Sequence, residues 1–295
     1  MNRRRLCYFL FVSLSSELYA RTASFLPTMK ISSVEVDTIS YMFMLSIVSC
    51  LDASNMGPGT KRYSRGIVEK AKIIWANYPN SPAGKIATKE FCRELIDFGH
   101  DNNIIIASDE AYSEIYFGEK PMSLLEFSRD GVVAFNSLSK RSAMTGWRVG
   151  WLAGDERIIG TFKKLKTNID SGTPTFIQDA AIAAYGDETH VERMRAEYKE
   201  KRDLLAGAFI GAGLLDRTPQ STIYLWQRAP QGMNSIDFAK KLLSPEIGIV
   251  STPGEWISLD TEHGNPGKDY VRLALVPSVE QVRAAAEKII KHLQI

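Results

Sequence analysis

The chain reads as an α/β protein, with a large domain on a mostly parallel sheet followed by a small α+β domain at the C-terminal end. Two apolar runs without polar alternation, Ile104-Ile105-Ile106-Ala107 and Val132-Val133-Ala134-Phe135, predict strands buried on both faces, as parallel sheets require. A charged stretch with few breakers, residues 188–209, predicts one long helix passing between domains. Beyond residue 211 shorter strands and helices mix in a different pattern. The expected divisions are therefore residues 1–60, an atypical N-terminal segment; 61–187, the large domain; 188–210, the interdomain helix; and 211–295, the small domain.

At the start, Arg3-Arg4-Arg5 precede the apolar stretch 6–14, and Leu18-Tyr19-Ala20 offers a cleavage site. A basic start and a short apolar centre fit a secretory or organelle-entry signal, which would place the protein in a plastid or mitochondrion rather than the cytoplasm. The competing reading is that residues 1–60 are sequence read through upstream of a shortened frame. The run 39–51 is interrupted by Ser40, Ser46 and Ser49, so no transmembrane helix is expected. Gly57 and Gly59, flanking Pro58, lack the strand and helix of a phosphate loop.

Next, Ile73-Ile74-Trp75-Ala76 predicts a strand, and Asn77-Tyr78-Pro79-Asn80-Ser81-Pro82-Ala83-Gly84 a turn stiffened by its prolines. The strand at 104–106 delivers Ser108-Asp109-Glu110-Ala111-Tyr112 to its carboxyl end, where open α/β sheets bind ligands. The strand at 132–135 leads into Asn136-Ser137-Leu138-Ser139-Lys140 and, eight residues on, Arg148. A strand at 149–153 follows, then a helix over 155–166 with Ile158, Ile159, Phe162 and Leu165 at helical spacing, and a second helix from Pro174 through Tyr185. In the small domain, strands are predicted at 222–226, 247–250 and 270–276, and helices at 235–243 and 278–293. Ser278 is the expected cap of the last helix, with Glu280 in its first turn.

Composition narrows the function. With 36 basic and 34 acidic residues the net charge is +2, which argues against nucleic acid or an acidic surface as partner. Cys7, Cys50 and Cys92 are too widely spaced for a metal knuckle or disulfide framework, and His100, His190, His263 and His292 are equally scattered, so no structural metal is expected.

Taken singly, the polar residues at the strand ends are unremarked: Lys140 reads as a solvated lysine, Asp109 as a cap, Tyr112 as packing, Arg148 and Arg272 as surface guanidiniums. Taken together, hydroxyls, one lysine and a following arginine suit a lysine that forms a Schiff base beside a bound phosphate. Asn77 to Gly84, Ser108-Asp109-Glu110-Ala111-Tyr112, Ser137-Leu138-Ser139-Lys140 with Gly146-Trp147-Arg148-Val149-Gly150, and Tyr270-Val271-Arg272-Leu273-Ala274 occur in one order and spacing. Over residues 60 to 295 the chain resembles the class I/II aminotransferases, the aspartate-aminotransferase-like branch of the fold type I pyridoxal-phosphate enzymes.

That resemblance implies a fold type I architecture, pyridoxal 5'-phosphate as cofactor, an amino acid and a 2-oxo acid as partners, and a homodimer if the chain is complete. It implies that Lys140 carries the cofactor as a Schiff base and moves the substrate proton, that Asp109 pairs with the pyridinium nitrogen, and that Tyr112 bonds the ring oxygen. Ser137, Ser139 and Arg148 would bind the phosphate, and Arg272 the substrate α-carboxylate by its planar fork. Family members usually carry asparagine immediately before the second proline of the turn; here Ser81 stands there, with Asn80 one residue earlier, so the ring-oxygen contact falls either to Ser81 or, through a local shift, to Asn80. The N-terminal arm, glycine-containing phosphate loop and stacking aromatic of the family have no recognisable counterpart in residues 1–60. Thr252-Pro253-Gly254-Glu255-Trp256 and Asn265 to Arg272 look similar to diaminopimelate aminotransferases, in particular the succinyl-diaminopimelate type. The alternatives are a lyase of the same fold, or a catalytically impaired remnant.

Overall fold

A computed structural model describes residues 10–12, 68–69, 71–260 and 264–293 of the 295-residue chain. Apart from residues 10–12, the entry signal, the run 39–51 and the Gly57–Gly59 pair lie outside the described residues.

The larger sheet has five strands among the described residues, in the order β1-β5-β4-β3-β2. They are β1 (Leu10–Val12), β2 (Ile73–Asn77), β3 (Ile105–Asp109), β4 (Val132–Ser137) and β5 (Gly150–Gly154). β2, β3 and β4 run parallel, whereas β5 is antiparallel to both β4 and β1. Both faces of the parallel part are covered, which explains the absence of polar alternation. On one face Ile106 and Val132 pack with Cys92 and Ile96 of helix α1 (Lys89–Asp101). On the other, Ala107, Val133 and Leu152 meet Ile158, Ile159 and Phe162, which belong to α3 (Glu156–Ile169). Between them lies the four-residue helix α2 (Leu138–Arg141), which carries Lys140.

Helices α4 (Thr175–Tyr185) and α5 (Thr189–Gly211) follow, close to the spans expected. α5 joins the second core, where Phe209, Leu225, Phe238, Leu273 and Ile289 are fully or almost fully buried. This core lies between α6 (Ser235–Leu242), α7 (Val279–His292) and one face of a three-stranded sheet of order β6-β8-β7, namely β6 (Tyr224–Arg228), β8 (Tyr270–Ala274) and β7 (Thr252–Pro253). Ser278 caps α7 as expected, but the residue that closes the capping box is Gln281, whose side chain accepts from the Ser278 amide at 3.0 Å.

One predicted strand is absent. A turn ends at Ile247 and residues 248–250 have no regular structure, because Gly248 adopts φ +67° and its amide bonds the Ser244 carbonyl at 2.7 Å. A left-handed residue in the middle of an apolar run breaks the pleat. The edge strand is the two-residue β7 further on.

Candidate active site

The strands β2, β3 and β4 end side by side. Parallel register places Asn77 opposite Asp109 and Asp109 opposite Phe135, two residues before Ser137. Asn77 knits this edge to the following turn: its amide donates to the Asp109 carbonyl at 3.3 Å, and its Oδ1 accepts the Ser81 amide at 2.9 Å. Asn80 is completely buried and its side chain is used within the turn, accepting from the Ala83 amide at 3.2 Å and donating towards Asn77 at 3.4 Å. Of the two candidates in the turn, Ser81 is the one that acts on the Tyr112 phenol, drawing its pKa down against the larger effect of burial. Gly84 has φ +67°, and a Cβ there would lie 2.4 Å from Cβ of Pro219. The turn thus rests directly on the loop that opens the small domain, with the Gln220 amide donating to the Gly84 carbonyl at 3.0 Å.

Asp109 sits in dense surroundings. Its Oδ1 accepts the Ala111 amide at 3.2 Å, but desolvation outweighs that bond and raises its pKa. Among the described residues, no cation is paired with it. The neighbouring Glu110 is buried, and desolvation raises its pKa too. Its Oε1 accepts from Ser108 Oγ at 2.9 Å, Ser123 Oγ at 2.9 Å and the Leu124 amide at 3.1 Å, which anchors the chain leaving β3. Tyr112 is buried in the next turn, and its phenol pKa is raised chiefly by that burial.

Lys140 approaches Tyr112 from β4. Its Nζ lies 5.8 Å from the centroid of the Tyr112 ring. Ser137 caps α2, accepting the Ser139 amide at 3.0 Å, with its Oγ 2.9 Å from Ser139 Oγ. Thr145 donates to the Ser139 carbonyl at 3.0 Å, and the exposed Arg148, left-handed at φ 51°, donates to the Thr145 carbonyl at 2.8 Å. Ser137, Ser139 and Arg148 are therefore linked in one hydrogen-bonded loop beside Lys140. The buried Arg141 fixes α2 from behind, donating to the Ala184 carbonyl at 2.9 Å, pairing with Glu188 and lying 4.8 Å over the Tyr185 ring.

The opposite wall comes from the small sheet. Arg272 on β8 is half-buried, and its guanidinium lies 4.7 Å over the ring of Tyr224 on β6. Tyr224 in turn meets Tyr112 edge-on at 6.3 Å. Tyr112 thus touches both Lys140 and Tyr224, and Tyr224 touches Arg272.

The sequence pattern of the family described as "Aminotransferase class I and II" matches residues 26–289. The chain belongs to this family. The match begins ahead of residue 60, where the motif-bearing part starts. An LL-diaminopimelate aminotransferase of Aquifex aeolicus is 40% identical over 248 residues, which are 83% of this chain and 62% of that protein. One from Halothermothrix orenii is 40% identical over 246 residues, 82% of this chain and 61% of that protein. A solved aminotransferase from Neisseria meningitidis superposes with a TM-score of 0.74 at 35% identity, covering 79% of this chain and 60% of its own. The chain thus spans about three fifths of the length of the relatives it matches.

Members of the class I/II aminotransferases use pyridoxal phosphate, and the residues present fit it. A desolvated carboxyl with no cation partner, Asp109, is matched by a protonated ring nitrogen. The Tyr112 phenol suits the ring oxygen, and the Ser137, Ser139 and Arg148 cluster suits a phosphate. Among the described residues no group of three or more His, Cys, Asp or Glu is placed to hold a metal, and no helix is long and apolar enough to cross a membrane.

Several residues of this aminotransferase-family site were not singled out from sequence: Asn77, Glu110, Arg141 and Tyr224. Asn77 and Glu110 did carry a signal, each being a polar residue at or just past the end of an apolar strand. Arg141 and Tyr224 carried none, because their partners lie 43 or more residues away or on another sheet.

Proposed function

We propose that the protein is a pyridoxal-phosphate-dependent aminotransferase that moves the amino group of a diaminopimelate-type amino acid to a 2-oxo acid. The observation that carries this reading is Lys140 Nζ at 5.8 Å from the ring of Tyr112, which follows the desolvated Asp109 by three residues. The relatives' name supports the substrate, and it favours free diaminopimelate over its succinylated form.

Arg272 presents its planar fork to the substrate carboxylate, held flat by the tyrosine beneath it. Lys140 holds the proton withdrawn from the substrate α-carbon and returns it elsewhere along the same conjugated system. Asp109 ionises against a cation at the ring nitrogen, and Tyr112, steadied by Ser81, orients the ring oxygen. Ser137, Ser139 and Arg148 grip the phosphate end. When bound, pyridoxal phosphate supplies the aldehyde that joins the amine and the ring that withdraws its electrons.

The working form is proposed to be a homodimer, since α4 leaves Phe176 67% and Ile182 62% exposed. Adding pyridoxal phosphate to the purified chain is expected to give a visible absorbance band that Lys140→Ala removes. Diaminopimelate plus 2-oxoglutarate is then expected to yield glutamate. Absence of the band in folded wild-type protein overturns the reading, and keto acid with ammonia formed without an acceptor marks a lyase instead.

A further inference from the structure

Tyr224 stands at the seam of the two domains. Antiparallel register sets Trp226 opposite Arg272 and Tyr224 opposite Ala274, so Tyr224 and Arg272 share one face of the small sheet as diagonal neighbours. That face is turned away from the core, which takes Leu225, Val271 and Leu273 instead. An aromatic ring on the diagonal reaches its neighbour, and the Arg272 guanidinium lies 4.7 Å from the Tyr224 centroid. The same ring reaches beyond the small sheet: it packs with Tyr112, Ile115 and Ile223 and meets the Tyr112 ring edge-on at 6.3 Å.

One residue therefore touches both the arginine for the substrate carboxylate and the phenol for the cofactor ring. We propose that Tyr224 is a positioning residue whose ring both orders the Arg272 guanidinium and braces the Tyr112 ring. This rests on the aminotransferase reading of the site. The ring attracts the guanidinium by its π face and limits its rotation, which orders the fork before a carboxylate arrives. Its edge-on contact limits the movement of the Tyr112 ring in the same way.

The test uses the full chain with Tyr224→Phe and Tyr224→Leu, and two readouts. The first is calorimetric affinity for 2-oxoglutarate in the protein before cofactor is added. The second is the wavelength of the visible band after pyridoxal phosphate is added. Tyr224→Phe, which keeps the ring, is expected to leave the affinity within about twofold and the band unmoved. Tyr224→Leu is expected to weaken 2-oxoglutarate by about threefold or more and to shift the band. In turnover only the second variant raises KM. Equal affinity in all three proteins, or equal loss in both variants, overturns the proposal; the latter is the mark of a merely structural tyrosine. If the wild type shows no band at all, the aminotransferase reading fails, while the affinity comparison still decides whether the ring holds Arg272.

Discussion

Asp109 and Lys140 are the two residues on which the proposed chemistry turns. The folded state disfavours the ionised Asp109, so its pKa lies above the unfolded value of about 3.9. The sign follows: the contribution to stability is fully present below that unfolded value and is lost as pH rises through the folded one. Asp109→Asn is therefore expected to raise the melting temperature of the cofactor-free protein at neutral pH. The same change is expected to abolish the further rise that pyridoxal phosphate gives the wild type, as differential scanning calorimetry checks. Lys140→Ala is expected to lower transamination by at least about a hundredfold, measured by glutamate formation, because it removes the proton carrier. At this scale the sequence was informative where a strand end carries the residue, as for Asp109 and Ser137. It was uninformative about Asn80 against Ser81, because only the folded turn decides which side chain is used within the turn and which lies towards Tyr112.

Among the elements, the turn after β2 and the short helix α2 bear the greatest load for their length. Gly84→Ala places a Cβ 2.4 Å from Pro219 and 2.7 Å from the Ser221 carbonyl at a positive φ. It is expected to cost about 1–3 kcal/mol in urea denaturation. Helix α2 has only four residues, too few to hold Lys140 by its own hydrogen bonds. Its rigidity comes from Arg141, and from Ser142, whose Oγ lies 2.9 Å from His190 Nε2. Arg141→Met leaves the Ala184 carbonyl without this donor and is expected to cost about 1–3 kcal/mol in the same assay, with slower turnover. The long periodic helices were legible because their apolar spacing is local. Residues 247–250 misled because their apolar content matches a strand, and only the left-handed Gly248 shows that the ladder cannot pass through.

For the whole molecule, Phe176→Glu together with Ile182→Glu is expected to convert a dimer into monomers in light scattering, without unfolding α4, since both side chains are exposed. The presence of a second, smaller sheet beyond residue 211 was readable from the changed pattern of strands and helices there. The wall formed by Tyr224 was not, since it comes from two sheets brought together over more than a hundred residues of chain. The contact between Gly84 and residues 219–221 has one more consequence. Backbone and hydroxyl bonds to a single carbonyl hold it shut, at 3.0 Å from the Gln220 amide and 3.1 Å from Ser221 Oγ. Tyr224 begins its strand only three residues beyond Ser221. The contact thus fixes the near edge of the small sheet, so that Tyr224 on β6 is tied to it by three residues of chain while β7 lies at the far edge, beyond β8.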